Sequence, residues 1–200
     1  MKQNKGFTLV ELLAMMIVLG IIMGVTIPNI TGIVNSSKYN GIKTDATKMI
    51  DKAKLKVIKE KKIQKPQEKQ CIILTLNYLD DNEDIVKGPN GRKYNPYDSF
   101  VIYTRENNEY KYYARIIEGT GDEKFAIDIE SDEKINTEEV EFITETPTEI
   151  GISKTDESAV CANKVYNNTK VKNICSSVIA CYNNQSAIGD YSLDLNPTEP

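Results

Sequence analysis

Lys5-Gly6-Phe7-Thr8-Leu9-Val10-Glu11-Leu12-Leu13 opens an apolar run that lasts to Val34, and its reading decides the rest of the chain. From Phe7 to Val34 the residues are apolar or small except for one charge, Glu11, and the 23 residues from Leu12 to Val34 carry none. A helix rises about 1.5 Å per residue and the hydrocarbon core of a bilayer is about 30 Å thick, so roughly 20 such residues suffice to span it. A removable export signal has a shorter apolar region and ends at a small-residue site; none follows Val34, so the segment is expected to be retained. Ahead of it stands Met1 to Gly6 with Lys2 and Lys5, and the basic side of a span stays in the cytoplasm, which puts the remainder of the chain outside. Glu11 is the anomaly, because a carboxylate in lipid costs about 2 to 3 kcal/mol or more until it finds a partner. A cut after Gly6 creates a new amine on Phe7 one helical turn before Glu11. That amine sits awkwardly for its own side chain, so the amine of a neighbouring copy is the more useful partner.

The register of short basic leader, glycine, phenylalanine, glutamate, apolar run and mid-helix proline resembles the class III signal of type IV prepilins and type II secretion pseudopilins. The resemblance implies that a prepilin peptidase cuts between Gly6 and Phe7 and methylates the Phe7 amine. It implies that Glu11 neutralises the Phe7 amine of an adjacent subunit during assembly, and that the helix unwinds locally at Pro28 when subunits pack; a proline removes an N–H from the helical ladder in any case. The implied partners are other pilin subunits, the peptidase, an assembly platform with its motor, and the membrane. The implied locations are the cytoplasmic membrane for the precursor and an extracellular filament after assembly. The resemblance is specific over residues 1 to 34, loose from 35 to 130 and absent from 131 onward.

Beyond Pro28 the apolar residues fall into a helical stripe, Ile42, Ala46, Met49, Ile50, Ala53 and Val57, with lysines between. That spacing predicts an amphipathic helix lying on a sheet and ending near Lys65-Pro66, since the residue before a proline avoids the α region. Cys71 to Leu79 reads as a strand or a short helix-like element, followed by an acidic loop from Asp80 to Asp84 and the turn Gly88-Pro89-Asn90-Gly91. Ser99 to Thr104 and Tyr110 to Ile117, joined by Glu106-Asn107-Asn108-Glu109, read as a β-hairpin, and Phe125 to Ile129 as a third strand. Residues 131 to 160 are rich in Glu, Thr and Ser, with one further strand signal from Val140 to Thr144; loop and partial disorder are expected there and after Cys181.

The expected fold class is therefore α+β, a long N-terminal helix packed on a small antiparallel sheet. Its expected segments are a leader 1–6, a transmembrane or filament-core helix 7–34, an amphipathic helix 35–66, a sheet head 67–146, and a loop-rich region with cysteines 147–200.

Charge and chemistry narrow the function. Residues 35 to 70 hold 11 basic and 4 acidic side chains and residues 71 to 200 hold 12 and 24, a net of +7 against −12. An acidic head makes nucleic acid an unexpected partner. The chain has no histidine, which excludes Ser-His-Asp and Cys-His catalysis and removes the commonest metal ligand. No catalytic residue, cofactor or metal site is expected. The Asp80 to Asp84 run has oxygen ligands at alternate positions, yet Ile85 stands where a calcium loop of the EF-hand type needs glycine, and Gly91 where it needs glutamate. Tyr103, Tyr110, Tyr112 and Tyr113 read as cross-strand packing. Four cysteines outside the membrane are expected to pair: Cys161 with Cys175 or Cys181, and Cys71 tying the start of the sheet to the C-terminal region. The expected function is a structural subunit of a type IV pilus; the other readings are a pseudopilin of a secretion or competence apparatus, or a singly anchored surface-binding protein.

Overall fold

The computed structural model describes residues 8–80, 85, 87–119, 126–137 and 147–183, with the backbone alone over 24–35. Helix α1, Leu9–Lys59, is 51 residues long. The chain divides into two units, Met1–Lys38 and Tyr39–Pro200.

In the first unit, every apolar side chain described from Leu9 to Met23 is exposed, with Leu9 at 84% and Met16 at 66%. Among the described residues no helix is long and apolar enough to cross a membrane. The span expected from Phe7 to Val34 begins one residue before the described ones, and of its residues from 24 onward only the backbone is described.

The second unit is built on a five-stranded sheet of order β4-β3-β2-β1-β5. The stripe read from the sequence is the buried face of α1: Ile42, Ala46, Met49, Ile50 and Ala53 are all at 0% exposure, and Val57 packs at their edge. They meet Ile72 and Leu74 of β1 (Gln70–Thr75), Val101 and Tyr103 of β2 (Phe100–Glu106), Ala114 and Ile116 of β3 (Glu109–Ile117), and Ile127 of β4 (Ala126–Ser131). The helix stops at Lys59, short of the expected Lys65. Glu60 closes its last turn through Lys56 O at 2.8 Å, and the following turn drops Ile63 into the same core. A helix continued straight would have carried Ile63 away from the sheet.

The stretch Cys71 to Leu79 holds both structures its composition suggested. Strand β1 gives way at Thr75, whose hydroxyl caps α2, Leu76–Leu79, by accepting from the Tyr78 N–H. The β2–β3 hairpin turns on Asn107 and Asn108, both with positive φ (52° and 66°). A two-residue turn matched to strand twist needs two such residues, and asparagine tolerates that region better than most.

The turn from Gly88 to Gly91 rests on α1 and is held from below by Glu118, which is fully buried and accepts from Asn90 N (3.1 Å) and Nδ2 (3.0 Å). A Cβ on Gly88 would stand 2.1 Å from Glu118 Oε1 and 2.7 Å from its Cγ. Gly88→Ala is expected to cost about 1–3 kcal/mol as an overpacked site, measured as a shift of the urea midpoint at unchanged slope.

The α+β class, with an N-terminal helix and a sheet, is as expected; what differs is that the sheet is not wholly antiparallel and that ordered elements stand in the cysteine region. The β1–β2, β2–β3 and β3–β4 pairs are antiparallel, but β5, Ser177–Tyr182, joins β1 in parallel, so the sheet is mixed. Helices α4, Ser158–Tyr166, and α5, Thr169–Ile174, form a second layer. Ala162, Val165 and Val171 of that layer bury against Ile73, Phe100, Ile102 and Val178 on the sheet face opposite α1. Residues 132–136, expected as loop, form α3, Asp132–Asn136, capped by the Ser131 hydroxyl. The strand signal Val140 to Thr144 lies outside the described residues.

Strand β4 carries one more local device. The register passes from Ala114↔Glu130 to Ile116↔Ile127, so Asp128 and Ile129 together oppose Arg115 in a β-bulge. Ile129 has φ of 57°, a costly conformation for a β-branched residue, and is 6% exposed in the second core. The bulge brings both the Asp128 carboxylate and the Ile129 side chain to that one face.

Candidate functional site

Two places hold the residues singled out in the sequence: the start of α1, and the cysteine-linked face of the head.

At the start of α1, Thr8 is the residue before the first helical turn and Glu11 is the third residue within it. Thr8 N donates to Glu11 Oε2 at 2.9 Å, Thr8 Oγ1 donates to the same oxygen at 2.8 Å, and Glu11 N donates back to Thr8 Oγ1 at 3.3 Å. This is a capping box: the threonine satisfies one free N–H of the helix end and the glutamate another. The helix dipole favours the same charge at the same end. Both bonds fall on Oε2, and among the described residues none falls on Oε1. Oε2 of Glu11, an exposed residue, thus holds its own helix end. Reading the sequence found Glu11 and overlooked Thr8, although threonine followed three residues later by glutamate before an apolar run is the signature of this cap. Gly6 and Phe7 lie outside the described residues, and Pro28 falls inside α1, where only the backbone is described.

On the head, Cys71 of β1 is bonded to Cys175, just past α5, with their Cα atoms 5.7 Å apart, and Cys161 of α4 to Cys181 of β5, at 5.8 Å. Of the partners left open for Cys161, the structure takes Cys181. All four sulfurs are buried in the second core. Beside them lies the buried cation Arg115, fully enclosed. Its Nε donates to Asp98 O at 3.2 Å, Nη1 donates to the Asp128 carboxylate, and Nη2 donates to Thr148 O at 2.7 Å. Asp98 accepts in turn from Ile150 N at 3.0 Å. Burial pushes the Asp98 carboxyl above the ordinary range, and Arg115 opposes that push. Lys170 reaches the Asp128 carboxylate at 3.1 Å, so two cations face two carboxylates, and the cluster ties residues 148–150 to the sheet, a structural task. Arg115 carried no signal in the sequence beyond being one basic residue in an aromatic strand.

The tyrosines divide by face. Tyr103 and Tyr112 stack with centroids 5.1 Å apart and Tyr110 lies 5.4 Å from Tyr103, all on the α1 side; Tyr113 points the other way and bonds Glu106 at 2.9 Å. In the acidic loop only Asp80 is described, and it accepts from Lys52 and from Ile85 N.

Residues 1–27 match the family model described as the prokaryotic N-terminal methylation motif, which is the class III signal of type IV pilins and pseudopilins. The match takes in Gly6, Phe7, Thr8 and Glu11 and stops one residue before Pro28. No curated protein and no solved structure matches the chain.

Proposed function

We infer that the chain is a structural subunit of a type IV pilus, made as a membrane-anchored precursor, cut between Gly6 and Phe7, methylated on the Phe7 amine and polymerised through its N-terminal helix. The observation that carries this reading is the methylation motif together with the arrangement of Glu11 inside it. The carboxylate is held at the helix end through Oε2, and its other oxygen is the acceptor offered to a neighbouring subunit's Phe7 amine. An apolar helix leaves lipid readily only for another apolar environment, and a bundle of copies of residues 7–34 provides one. The role is structural rather than catalytic. Its partners are other pilin subunits, the prepilin peptidase, and a platform with a motor to drive extrusion. Pro28 is assigned to local unwinding of the helix within the fibre.

Intact mass and N-terminal sequencing of the protein from its native cells test the reading. A chain beginning at Phe7 and heavier by one methyl group supports it; a chain beginning at Met1, or cut near residue 34, overturns it. Recovery in long surface filaments supports a pilus, whereas confinement to short structures serving secretion shifts the assignment to a pseudopilin.

Glu11→Ala is expected to be cut and methylated normally while its share in sheared filaments falls several-fold. Loss of the cap alone weakens the helix end by only about 1 kcal/mol, too little to explain such a drop. Filaments containing the variant at the wild-type level would remove the charge-pairing step.

A further inference from the structure

The sequence contains two Asn-Gly pairs, Asn40-Gly41 and Asn90-Gly91. Asparagine followed by glycine is the pair most open to deamidation, because no Cβ hinders the glycine nitrogen as it approaches the asparagine Cγ. Asn40-Gly41 lies inside α1, where the helical ladder fixes both backbones. Asn90-Gly91 closes the surface turn that begins at Gly88, with Pro89 and Gly91 at the positions such a turn favours. Asn90 is half-buried and Gly91 exposed, so water reaches the pair.

The closed turn holds the reacting groups apart. Asn90 N and Nδ2 donate to one carboxylate, that of Glu118, at 3.1 and 3.0 Å, so the side chain leans back toward its own N–H and away from the Gly91 nitrogen. Gly91 N is itself engaged, donating to Gly88 O at 2.8 Å, and Gly88 N closes the turn from behind by donating to Arg92 O at 2.7 Å. Attack therefore requires the Asn90 Nδ2 bond to Glu118 and the Gly91 bond to Gly88 to break together. Glu118 has no exposure, and a buried acceptor that loses a donor finds no water to replace it. The protection of Asn90 is thus set by how firmly Glu118 holds the turn.

We propose that Asn90 is a deamidation site gated by Glu118, shielded while the turn is closed and unable to restore the turn once it has reacted. The chemistry needs only water. In an open turn the Gly91 nitrogen gives up its proton and bonds to Asn90 Cγ; the Cγ–Nδ2 bond breaks and ammonia leaves, giving a cyclic imide. Water then opens the imide at either carbonyl, to aspartate or to isoaspartate at position 90. Aspartate sets a carboxylate where the amide donated, against the buried carboxylate of Glu118, and two like charges at hydrogen-bond distance do not both stay ionised. Isoaspartate lengthens the main chain by a methylene, which takes Gly91 N out of register with Gly88 O. The closed turn seats Pro89 on α1, since a Cβ on Gly41 would stand 3.1 Å from Pro89 Cγ. A reacted turn leaves that seat, so each modified head carries a lasting mark of its age. The proposal stands on this turn alone and is independent of the fibre reading.

The test follows both Asn-Gly pairs in the full chain, solubilised in detergent and held in mildly alkaline buffer, by mass mapping of the peptides that contain Asn40 and Asn90. In urea the two pairs are expected to convert at similar rates, and in the folded protein Asn90 is expected to convert at least tenfold more slowly. Glu118→Gln keeps the size of the side chain but accepts through one oxygen only. It is expected to speed conversion at Asn90 several-fold while Asn40 stays at its folded rate. Gly88→Ala, whose Cβ displaces Glu118, is expected to do the same. Asn40 separates this local effect from global unfolding, which would speed both pairs alike. Asn90→Asp, which installs one product directly, is expected to lower the urea midpoint at unchanged slope. Conversion of Asn90 as fast in the folded chain as in urea, equal acceleration of both pairs in both variants, or no acceleration at Asn90 in either variant would each overturn the gate. A wild-type midpoint for Asn90→Asp would overturn the claim that the turn cannot close again.

Discussion

Arg115→Met is expected to destabilise the head by about 3–5 kcal/mol, the largest effect of any single substitution considered. The reason is what it leaves behind. Arg115 has no exposure, and its guanidinium meets Asp98, itself 1% exposed, and Asp128. Methionine approximates the aliphatic stem but supplies no donor, so the buried Asp98 carboxylate loses its only cation among the described residues and the Thr148 carbonyl a donor, while Asp128 keeps Lys170. Breaking one side of a buried pair costs more than the pair itself contributes, because an uncompensated charge remains. The sign of the pH dependence follows from Asp98. Burial already raises its carboxyl in the folded state, so its contribution to stability is fully present below the ordinary carboxylate range and is lost as pH rises through the raised value. Without Arg115 the rise is steeper still. The deficit of the variant, measured by urea unfolding, is expected to shrink as pH falls toward about 4 and to be full at pH 7. A deficit that is constant across that range would mean that the carboxylates do not drive it.

Removal of the Cys71–Cys175 disulfide by paired serine substitution is expected to cost nearly as much. The bond closes a loop with a sequence separation of 104, against 20 for Cys161–Cys181. On the chain-entropy account, constraint of the unfolded chain is worth about 4.7 kcal/mol for a loop of that size and about 3 kcal/mol for one of the shorter size. The two doubly substituted proteins should therefore differ, with the longer loop the more sensitive. Thermal unfolding of each against wild type gives the comparison. Equal losses would indicate that the disulfides act through their contacts in the second core rather than through the unfolded state. The same bonds make the α4–α5 layer dependent on an oxidising compartment.

The parts of the fold that declared themselves in the sequence are those with a local period. The α1 stripe from Ile42 to Val57 repeats at helical spacing, and each member is buried or at the edge of the core. The β2–β3 hairpin has alternating residues on either side of Asn107-Asn108, and β4 is found within a residue or two of its expected place. What stayed hidden depends on partners far away in sequence. Ser177 to Tyr182 is short and sits in polar surroundings, and its strand character comes from β1, about a hundred residues earlier. The helices α4 and α5 are brief and weakly patterned, and they are held by two disulfides and by the burial of Ala162, Val165 and Val171 against the sheet. The end of α1 was misplaced for a similar reason: Pro66 marks where a helix must stop, whereas burial of Ile63 makes it stop sooner. At the N-terminal site, Glu11 stood out as a lone charge in apolar surroundings, but Thr8 is as unremarkable as any threonine until its hydroxyl is seen capping the helix.

The parallel placement of β5 also bears on the order in which the two faces of the sheet can be covered. Strands β1 to β4 are consecutive and antiparallel, and the hairpin at Asn107-Asn108 closes over the shortest loop, so this meander can assemble as soon as residue 131 is free. The α1 face of the sheet needs nothing later in the chain than Ile135 for its main core. The opposite face has to wait for Val178 and Cys181, whose contacts with β1 span a loop of about a hundred residues and incur its closure entropy. A head whose meander forms first would leave Ile73, Phe100 and Ile102 uncovered and Cys71 a thiol until β5 docks. A thiol-disulfide exchanger acting on Cys71 at that stage would set the rate at which finished subunits become available.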